Sequence, residues 1–374
     1  MKYLTKLLSD CARRLAGSAV PATVGLRLSV VFGVLAGFFA GAMAQPMEVP
    51  HSGLINSAAA AFNAATGKSY VVDSDGSSVE ISNDHSGATR SVKVGSHPVS
   101  IAVNSQNGRA YVVNAGNGTV SVLDGETDGV MATVQVGDHP YSIASDSTAG
   151  RIYITRTYSK QLMVIDAATN QVSSIEVGSP DLLAIDQKSH TVYLLSYEMG
   201  DLAILTGVTH AITRTSVGMH AWGMAINQET GAVYIAKPGD GRIAMIETGS
   251  THPVYIETGG RPCAVAVNER TNTLYVADYS GNSVRVIKGD KKQAVATIPV
   301  GARPEGLAVD ADHDRVYVAN TSGGSVSVID GTANRVVRTE PMGSAPYAMT
   351  ANPVDRKVHI ASLGRTGFAR LLDH

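Results

Sequence analysis

A tyrosine followed by short apolar residues recurs along this chain at nearly constant spacing. It occurs at Tyr70, Tyr111, Tyr153, Tyr193, Tyr234, Tyr275 and Tyr317, and His359 takes the same place in an eighth copy. Successive positions are 40 to 42 residues apart. A period of this length, kept over most of a chain, indicates a repeat architecture in which each copy packs on the next.

One copy, residues 301–342, shows what each unit contains. It begins with a Gly-x-x-Pro turn and continues with four short runs rich in β-branched and small apolar residues. Asp, Asn and Gly, which favour chain reversal, separate the runs. Each copy is therefore predicted to form one antiparallel four-stranded sheet, and sheets repeated at this period predict a β-propeller.

The predicted fold class is all-β, with a single β-propeller domain over residues 45–374. The observed period fits eight four-stranded blades, while the alternative of seven blades would require longer repeats. The last copy, residues 343–374, is too short for a fourth strand, and residues 45–53 precede the first copy. We therefore expect the N-terminal segment to pair with the C-terminal blade, which closes the ring and removes an open sheet edge.

The first 44 residues differ from the repeats. Lys2, Lys6, Arg13 and Arg14 precede an apolar run over residues 28–39, and Ala42-Met43-Ala44 ends in small residues. This pattern predicts a secretory signal peptide cleaved after Ala44, and an uncleaved membrane anchor is the alternative. We expect a periplasmic, secreted or cell-surface protein without a transmembrane segment after cleavage.

Charge and cysteine content narrow the possible partners. Residues 1–44 hold five basic residues and one acidic residue, so their removal changes the formal charge from −2 to −6. A mildly acidic body lacks the basic surface that general nucleic-acid binding requires, and no specific nucleic-acid partner is predicted. Cys263 would be the only cysteine left, so the mature chain cannot form an internal disulfide.

No complete catalytic motif is present. His-Glu-x-x-His, Gly-x-Ser-x-Gly and Cys-x-x-Cys-His are all absent, and Thr66-Gly67-Lys68-Ser69 lacks the glycine of a phosphate-binding loop. Asp73-Ser74-Asp75-Gly76 is too short for a calcium loop; it fits an ordinary turn, with metal binding as the alternative. An enzyme is therefore not the favoured interpretation, and no cofactor can be assigned.

Two repeats resemble a known family. The segment 268–278, Asn-Glu-Arg-Thr-Asn-Thr-Leu-Tyr-Val-Ala-Asp, and Tyr317-Val318-Ala319-Asn320 with Val328-Ile329-Asp330 are similar to the YVTN family of β-propeller repeats. The similarity covers essentially residues 54–370 and concerns the repeat, not an activity. It implies an exported bacterial propeller of the periplasmic or cell-surface type, often without assigned chemistry.

The turn before the first strand of each copy holds the candidate site. The position before the turn proline holds His97, His139, His220, Arg261 or Arg303 in five copies, with Ala221 in place of the proline after His220. The residue after the proline position varies, including Tyr141, Trp222 and Glu305. Such turns lie beside the central channel of a propeller. One interpretation is a favoured turn sequence with solvated side chains; the other is a ligand pocket, with arginines for carboxylate or phosphate, histidines for metal or hydrogen bonds, and Trp222 or Tyr141 for stacking.

These observations favour a non-enzymatic binding or scaffold protein that holds a protein, a small ligand or an envelope component at its rim and channel mouth. The alternative is a propeller enzyme or cofactor-handling protein, lactonase-like or tetrapyrrole- or metal-binding, that uses the His and Arg rim. The sequence does not identify the ligand or the oligomeric state.

Overall fold

A computed structural model describes residues 59–207, 209–354, 356–363 and 369–372. All of them belong to one compact unit, Pro50–His374. The described chain forms strands connected by turns. Among these residues, no helix has the length and apolar character needed to cross a membrane.

The strands form eight antiparallel sheets, here called blades 1 to 8 in chain order. Blades 1 and 2 contain β1 (Ala60–Asn63), β2 (Lys68–Asp73), β3 (Ser78–Asn83), β4 (Thr89–Lys93), β5 (Pro98–Val103), β6 (Ala110–Asn114), β7 (Thr119–Leu123) and β8 (Val130–Gln135). Blades 3 and 4 contain β9 (Pro140–Asp146), β10 (Arg151–Arg156), β11 (Gln161–Asp166), β12 (Val172–Glu176), β13 (Leu182–Asp186), β14 (Thr191–Leu195), β15 (Asp201–Thr206) and β16 (Ile212–Ser216). Blades 5 and 6 contain β17 (Met224–Ile226), β18 (Val233–Lys237), β19 (Arg242–Ile246), β20 (Val254–Glu257), β21 (Pro262–Asn268), β22 (Thr273–Asp278), β23 (Ser283–Lys288) and β24 (Gln293–Pro299). Blades 7 and 8 contain β25 (Pro304–Asp310), β26 (Arg315–Asn320), β27 (Ser325–Asp330), β28 (Arg335–Pro341), β29 (Ala345–Asn352), β30 (Lys357–Leu363) and β31 (Ala369–Leu372).

The blades are arranged in a ring. The first strand of each blade contacts the first strand of the next, and β29 of blade 8 contacts β1 of blade 1. The first strands therefore surround the centre, and all of them run in the same direction along it. Their starts meet at one end of the central channel, called here the proline-turn mouth, and their ends meet at the opposite mouth.

The predicted all-β propeller with eight blades is confirmed, and the seven-bladed alternative is wrong. The described part of blade 8 has three strands, as its short repeat predicted. The predicted pairing of residues 45–53 with this blade, and the predicted signal peptide, lie outside the described residues.

Apolar side chains fill the boundaries between blades, because each blade has two faces covered by neighbours. The repeat tyrosines illustrate this: Tyr111, Tyr275 and Tyr317 are fully buried. Tyr275 packs with Val316 and Val318 of the following blade. These tyrosines therefore hold neighbouring blades together, as the regular spacing indicated.

Asx side chains form the turns after the first strands. The Asn227 Oδ1 atom accepts hydrogen bonds from the backbone N–H groups of Glu229 and Thr230 at 2.9 and 3.2 Å. The turn at Asp73-Ser74-Asp75-Gly76, after a second strand, works similarly, because Asp73 Oδ1 accepts a hydrogen bond from the Gly76 N–H at 2.8 Å. The side-chain oxygen of Asn or Asp accepts the backbone hydrogen bond that a carbonyl would accept in an ordinary turn, which favours chain reversal at this point.

Polar side chains also connect one blade to the next. Lys68 Nζ, which is buried, reaches the Gly125 carbonyl and the Asp128 carboxylate of blade 2 at 2.7 and 2.6 Å. At the opposite mouth, Gln187 N–H donates to Gln228 Oε1, and Gln228 N–H donates to Glu269 Oε1, both at 2.9 Å. Lys68, part of the Thr66-Gly67-Lys68-Ser69 sequence compared above with a phosphate-binding loop, therefore links blade 1 to blade 2.

Ring closure uses a buried polar cluster centred on Asp84 of blade 1, here called the Asp84 hub. Its carboxylate accepts hydrogen bonds from Ser69 Oγ at 2.8 Å and from Ser82 Oγ at 2.9 Å. Asn352 Nδ2 and His359 Nε2 of blade 8 contact it at 2.8 and 3.1 Å. His359, which replaces the repeat tyrosine, therefore serves as a link between the last blade and the first.

Candidate ligand site at the proline-turn mouth

The proline turns hold their side chains by an unusual backbone conformation. His97, His139, His220 and Arg303 all have positive φ angles, between 48° and 57°. In the turns of His97, His139 and Arg303, the backbone carbonyl of this residue accepts a hydrogen bond from the backbone N–H that follows the second strand of the blade. For example, Ala115 N–H donates to His97 O at 3.0 Å. Non-glycine residues rarely adopt this left-handed conformation, and these four side chains are exposed.

The residue after the proline lies in a β-bulge in several blades. The ladder shifts register between Pro262 and Ala264 and between Pro304 and Gly306, so Cys263 and Glu305 have no direct partner on the second strand. A bulge bends a strand and re-aims the extra side chain. Cys263 and Glu305 are buried, and the variable position noted in the sequence is therefore this bulge.

Four of the predicted site residues meet in one group, here called the arginine–aromatic cluster: Tyr197, His220, Trp222, Arg261, Tyr279 and Arg303. The Arg261 guanidinium carbon lies 5.7 Å from the ring centres of both Trp222 and Tyr279. Arg303 lies 5.2 Å from the Tyr279 ring centre. These distances are within the range of cation–π attraction.

The cluster continues toward blade 4 through Tyr197. The Tyr197 ring meets the His220 ring at 5.7 Å in an edge-to-face arrangement and the Trp222 ring at 6.4 Å. His220 N–H also donates a hydrogen bond to the Tyr197 carbonyl at 2.9 Å. The cluster thus spans blades 4 to 7 in one continuous series of rings and cations.

Two hydrogen-bond donors in this cluster have no acceptor among the described residues. The Trp222 side chain is fully buried, and its indole N–H has no partner there. The Arg261 guanidinium makes no hydrogen bond or ion pair within the described chain, while its backbone N–H donates to Asp278 Oδ1 at 2.9 Å. Arg261 is only partly buried, so its guanidinium N–H groups are suited to bind an anionic or carbonyl oxygen.

Acidic and weakly acidic groups lie beside the cluster. Burial, reinforced by the charge of Glu305, raises the pKa of the Cys263 thiol, which keeps it protonated and unreactive. Burial also raises the pKa of Asp181, against the hydrogen bond that Tyr197 N–H donates to its carboxylate at 2.8 Å. Burial, followed by the Asp181 charge, raises the pKa of Tyr141.

Two of the predicted histidines, His97 and His139, lie apart from this cluster. His97 and His139 belong to blades 2 and 3, and His139 borders an open cavity of about 510 Å³ with Arg156, Tyr158 and Lys160. Within the described chain, no three His, Cys, Asp or Glu side chains are grouped so as to hold a metal ion. His97, His139 and His220 therefore do not form a joint metal site there. Tyr141 and Glu305 border the mouth, and their roles stay predictions.

The sequence analysis missed Tyr197 and Tyr279. Both occur four positions after the repeat tyrosine, where the corresponding residues of blades 1, 2, 3, 5 and 7 are Ser74, Ala115, Thr157, Pro238 and Thr321. Blade 8 has Leu363 at this position, so Tyr197 and Tyr279 are its two aromatic residues, and they were a readable signal. Their relation to Trp222, Arg261 and Arg303 depends on blade packing, which the repeat alone does not show.

The ring of eight antiparallel sheets defines the protein as a β-propeller. The YNCE-like beta-propeller family model matches residues 28–354. The chain therefore belongs to this family, in agreement with the YVTN-type repeats. A comparison with curated proteins found no significant match.

Solved structures share the fold at low sequence identity. Hydrazine synthase of Kuenenia stuttgartiensis aligns with a TM-score of 0.60 at 16% identity, over 77% of this chain and 98% of that one. The dihydro-heme d1 dehydrogenase NirN, in complex with DHE, aligns with a TM-score of 0.68 at 14% identity, over 86% and 76%. A functionally unknown protein from Desulfotomaculum acetoxidans DSM 771 aligns with a TM-score of 0.59 at 11% identity, over 72% and 94%. These similarities concern the fold alone.

Proposed function

We propose that this protein is an exported binding propeller whose arginine–aromatic cluster captures a ligand that carries carboxylates on or beside a flat ring. One observation carries the proposal: the Arg261 guanidinium lies 5.7 Å from the ring centres of both Trp222 and Tyr279 and has no anionic partner in the described chain. A guanidinium stacked between rings keeps its N–H edges for bidentate binding of a carboxylate.

The surrounding groups define the ligand class further. Arg303 adds a second cation beside Tyr279, and Tyr197 and His220 extend the aromatic surface toward blade 4. Trp222 is fully buried, so we assign it the role of a packing surface for Arg261 and leave contact with the ligand ring to the more exposed rings of Tyr197 and His220. A compact aromatic polycarboxylate would satisfy both the cations and the rings.

The only tryptophan of the chain lies in this site, which supplies a direct assay. Benzene-1,3,5-tricarboxylate should change Trp222 fluorescence in a saturable way, and propane-1,2,3-tricarboxylate, which has no ring, should bind more weakly. Each charged hydrogen bond contributes about 1.5–3 kcal/mol, so loss of both arginines should weaken binding roughly 100-fold or more.

The test compares Arg261→Ala/Arg303→Ala with Arg90→Ala/Arg335→Ala. The control pair removes the same charge from the outer strands β4 and β28. Circular dichroism should show that both variants fold. Equal affinity of the parent and the Arg261/Arg303 variant for every probe would leave the proline turns as turn sequences without a binding role.

The second candidate function is cofactor handling, and the same cluster favours it, because a tetrapyrrole presents carboxylates on a flat ring. One structure of similar fold is described as a dihydro-heme d1 dehydrogenase in complex with DHE. A coloured protein as isolated from cells, with absorbance lost in Arg261→Ala/Arg303→Ala, would favour this candidate over capture of a small carboxylate.

Export is the other part of the proposal. It is motivated by the basic and apolar leader that ends at Ala44. Intact-mass measurement of the protein from its native cell should give a chain starting at Gln45, in the periplasmic or extracellular fraction. A membrane-bound chain that retains residues 1–44 would contradict it.

A further inference from the structure

Two exposed methionines lie at the boundary between blades 4 and 5. The side chains of Met199 and Met219 are 63% and 61% exposed. Met199 is in the turn between β14 and β15, and Met219 is in the turn that leads into blade 5. His220, also exposed, follows Met219 directly.

The fold brings the backbones of these two turns into contact. Val217 N–H donates to the Gly200 carbonyl at 2.8 Å. A Cβ atom placed on Gly200 would lie 2.1 Å from the Gly218 carbonyl oxygen and 2.7 Å from the Met219 nitrogen. Met199 and Met219 therefore flank one tight contact between two backbones.

The corresponding backbone contact between two turns also occurs at another blade boundary, where other residues flank it. At Gly118, a Cβ atom would lie 2.9 Å from the Gly137 carbonyl oxygen, and Asn117 and Asp138 flank that contact. The positions that correspond to Met199 are Gly76, Asn117, Ser159, Asp240, Gly281 and Gly323, and those that correspond to Met219 are Ser96, Asp138, Ser179, Gly260, Ala302 and Ser344. All of these residues are small or polar, and the sequence before blade 1 has Ile55 in line with Met219, so a pair of methionines occurs at one boundary alone.

An apolar docking surface does not account for this pair. Glu198 and Asp201, both exposed, border Met199, and Gly218 lies against the Lys237 ammonium group. Two methionines among charged groups make a much smaller apolar patch than protein docking needs. Thioether sulfur is, in contrast, a ligand for soft cations, and imidazole is compatible with the same ions.

We propose that Met199, Met219 and His220 form a surface site for a soft monovalent cation of the Cu(I) class. The turns supply two thioethers and one imidazole from adjacent backbone positions, accessible to solvent. The site differs from the arginine–aromatic cluster in ligand chemistry and shares only His220 with it. The two proposals can therefore fail independently.

Titration with silver nitrate in chloride-free buffer tests the proposal, because Ag(I) is a soft monovalent ion that needs no reductant. Calorimetry of the full chain should show one more high-affinity Ag(I) equivalent in the parent than in Met199→Leu/Met219→Leu. Leucine keeps the apolar size and removes sulfur. Met131→Leu, at an exposed methionine of β8, should retain the site. The cysteines are the same in all variants, so thiol binding cancels in the comparison.

Two further measurements separate direct ligation from a structural effect. In methyl-labelled protein, the methionine signals that disappear in Met199→Leu and Met219→Leu should be the ones that shift with Ag(I). His220→Asn should weaken Ag(I) binding without loss of fold, since asparagine tolerates positive φ. Absence of a stoichiometric site in the parent, or equal uptake by the double leucine variant, would overturn the proposal.

Discussion

The Asp84 hub should carry a large share of the stability of the ring, and Asp84→Asn tests this. The Asp84 side chain is 1% exposed and is paired with His359, whose side chain is fully buried. The Asp84 carboxylate has four buried hydrogen-bonding partners, and loss of a hydrogen bond to a charged group costs about 1.5–3 kcal/mol, so loss of the charge should cost about 3 kcal/mol or more. Asp312→Asn is the matched control: Asp312 pairs with Arg270 across blades 6 and 7, and both side chains are more than half exposed. That change should cost about 1 kcal/mol or less.

The Asp84 hub should also make the free energy of unfolding depend on pH in the acidic range. Burial by itself raises the pKa of Asp84, but the hydrogen bond and charge of His359, with the hydroxyls of Ser69 and Ser82, outweigh burial and hold this pKa well below its ordinary value. A carboxyl whose pKa is lower in the folded state contributes stability above its unfolded pKa and loses it as the pH falls toward the folded pKa. The parent should therefore lose stability below pH of about 4 more steeply than Asp84→Asn does.

Urea unfolding followed by Trp222 fluorescence and by circular dichroism measures both effects. The expected order of midpoints is parent, then Asp312→Asn close to it, then Asp84→Asn clearly lower. If Asp84→Asn and Asp312→Asn had equal midpoints at neutral pH, ring closure would not depend on the hub. Parallel acid dependence of the parent and Asp84→Asn would contradict the pKa argument.

Three further predictions concern packing between blades. Gly306→Ala should destabilise the folded protein by about 1–3 kcal/mol in thermal unfolding, because the added Cβ would lie 2.4 Å from the Tyr347 carbonyl oxygen. The control Gly239→Ala, where a Cβ would have no atom within 4 Å, should be neutral or slightly stabilising. Lys68→Met should lower the free energy of unfolding by at least about 2 kcal/mol, because it removes the partner of Asp128 at a mostly buried site. Lys188→Met, in the exposed pair with Glu229, should cost about 1 kcal/mol or less. Equal losses would contradict the role of Lys68 as a link. Gln228→Ala removes the acceptor for Gln187 N–H and the donor to the Ile185 carbonyl, so the Gln187 amide should exchange its hydrogen faster, with a loss of about 1–2 kcal/mol. Unchanged exchange would show that the glutamines do not couple these blades.

Sequence periodicity predicted the propeller, its blade number and the position of the proline turns, because each blade needs the same strand and turn chemistry. The same regularity explains why the tyrosines pack between blades and why His97 and Arg303 occupy equivalent backbone positions. These features depend on contacts within one repeat or at a boundary that recurs.

Features that occur at a single boundary could not be predicted in this way. His359 interrupts the tyrosine pattern, and only the packing of blade 8 against blade 1 shows that it faces Asp84. Similarly, Trp222, Arg261 and Tyr279 come from different turns whose contact depends on how successive blades pack. The periodic pattern shows which residues depart from the repeat, but it does not show which of them contact each other in the folded protein.

The Asp84 hub has a consequence for where the polypeptide can begin. Within the described residues, blades 8 and 1 are joined there by side-chain hydrogen bonds, while each other boundary also has a covalent connection between neighbouring sheets. The order of blades around the axis is therefore independent of which connecting loop is cut. A circular permutant, with the present termini linked and new ones opened in an exposed loop between two blades, should rebuild the same ring. Gene rearrangements that shift the start point by whole repeats would conserve this architecture.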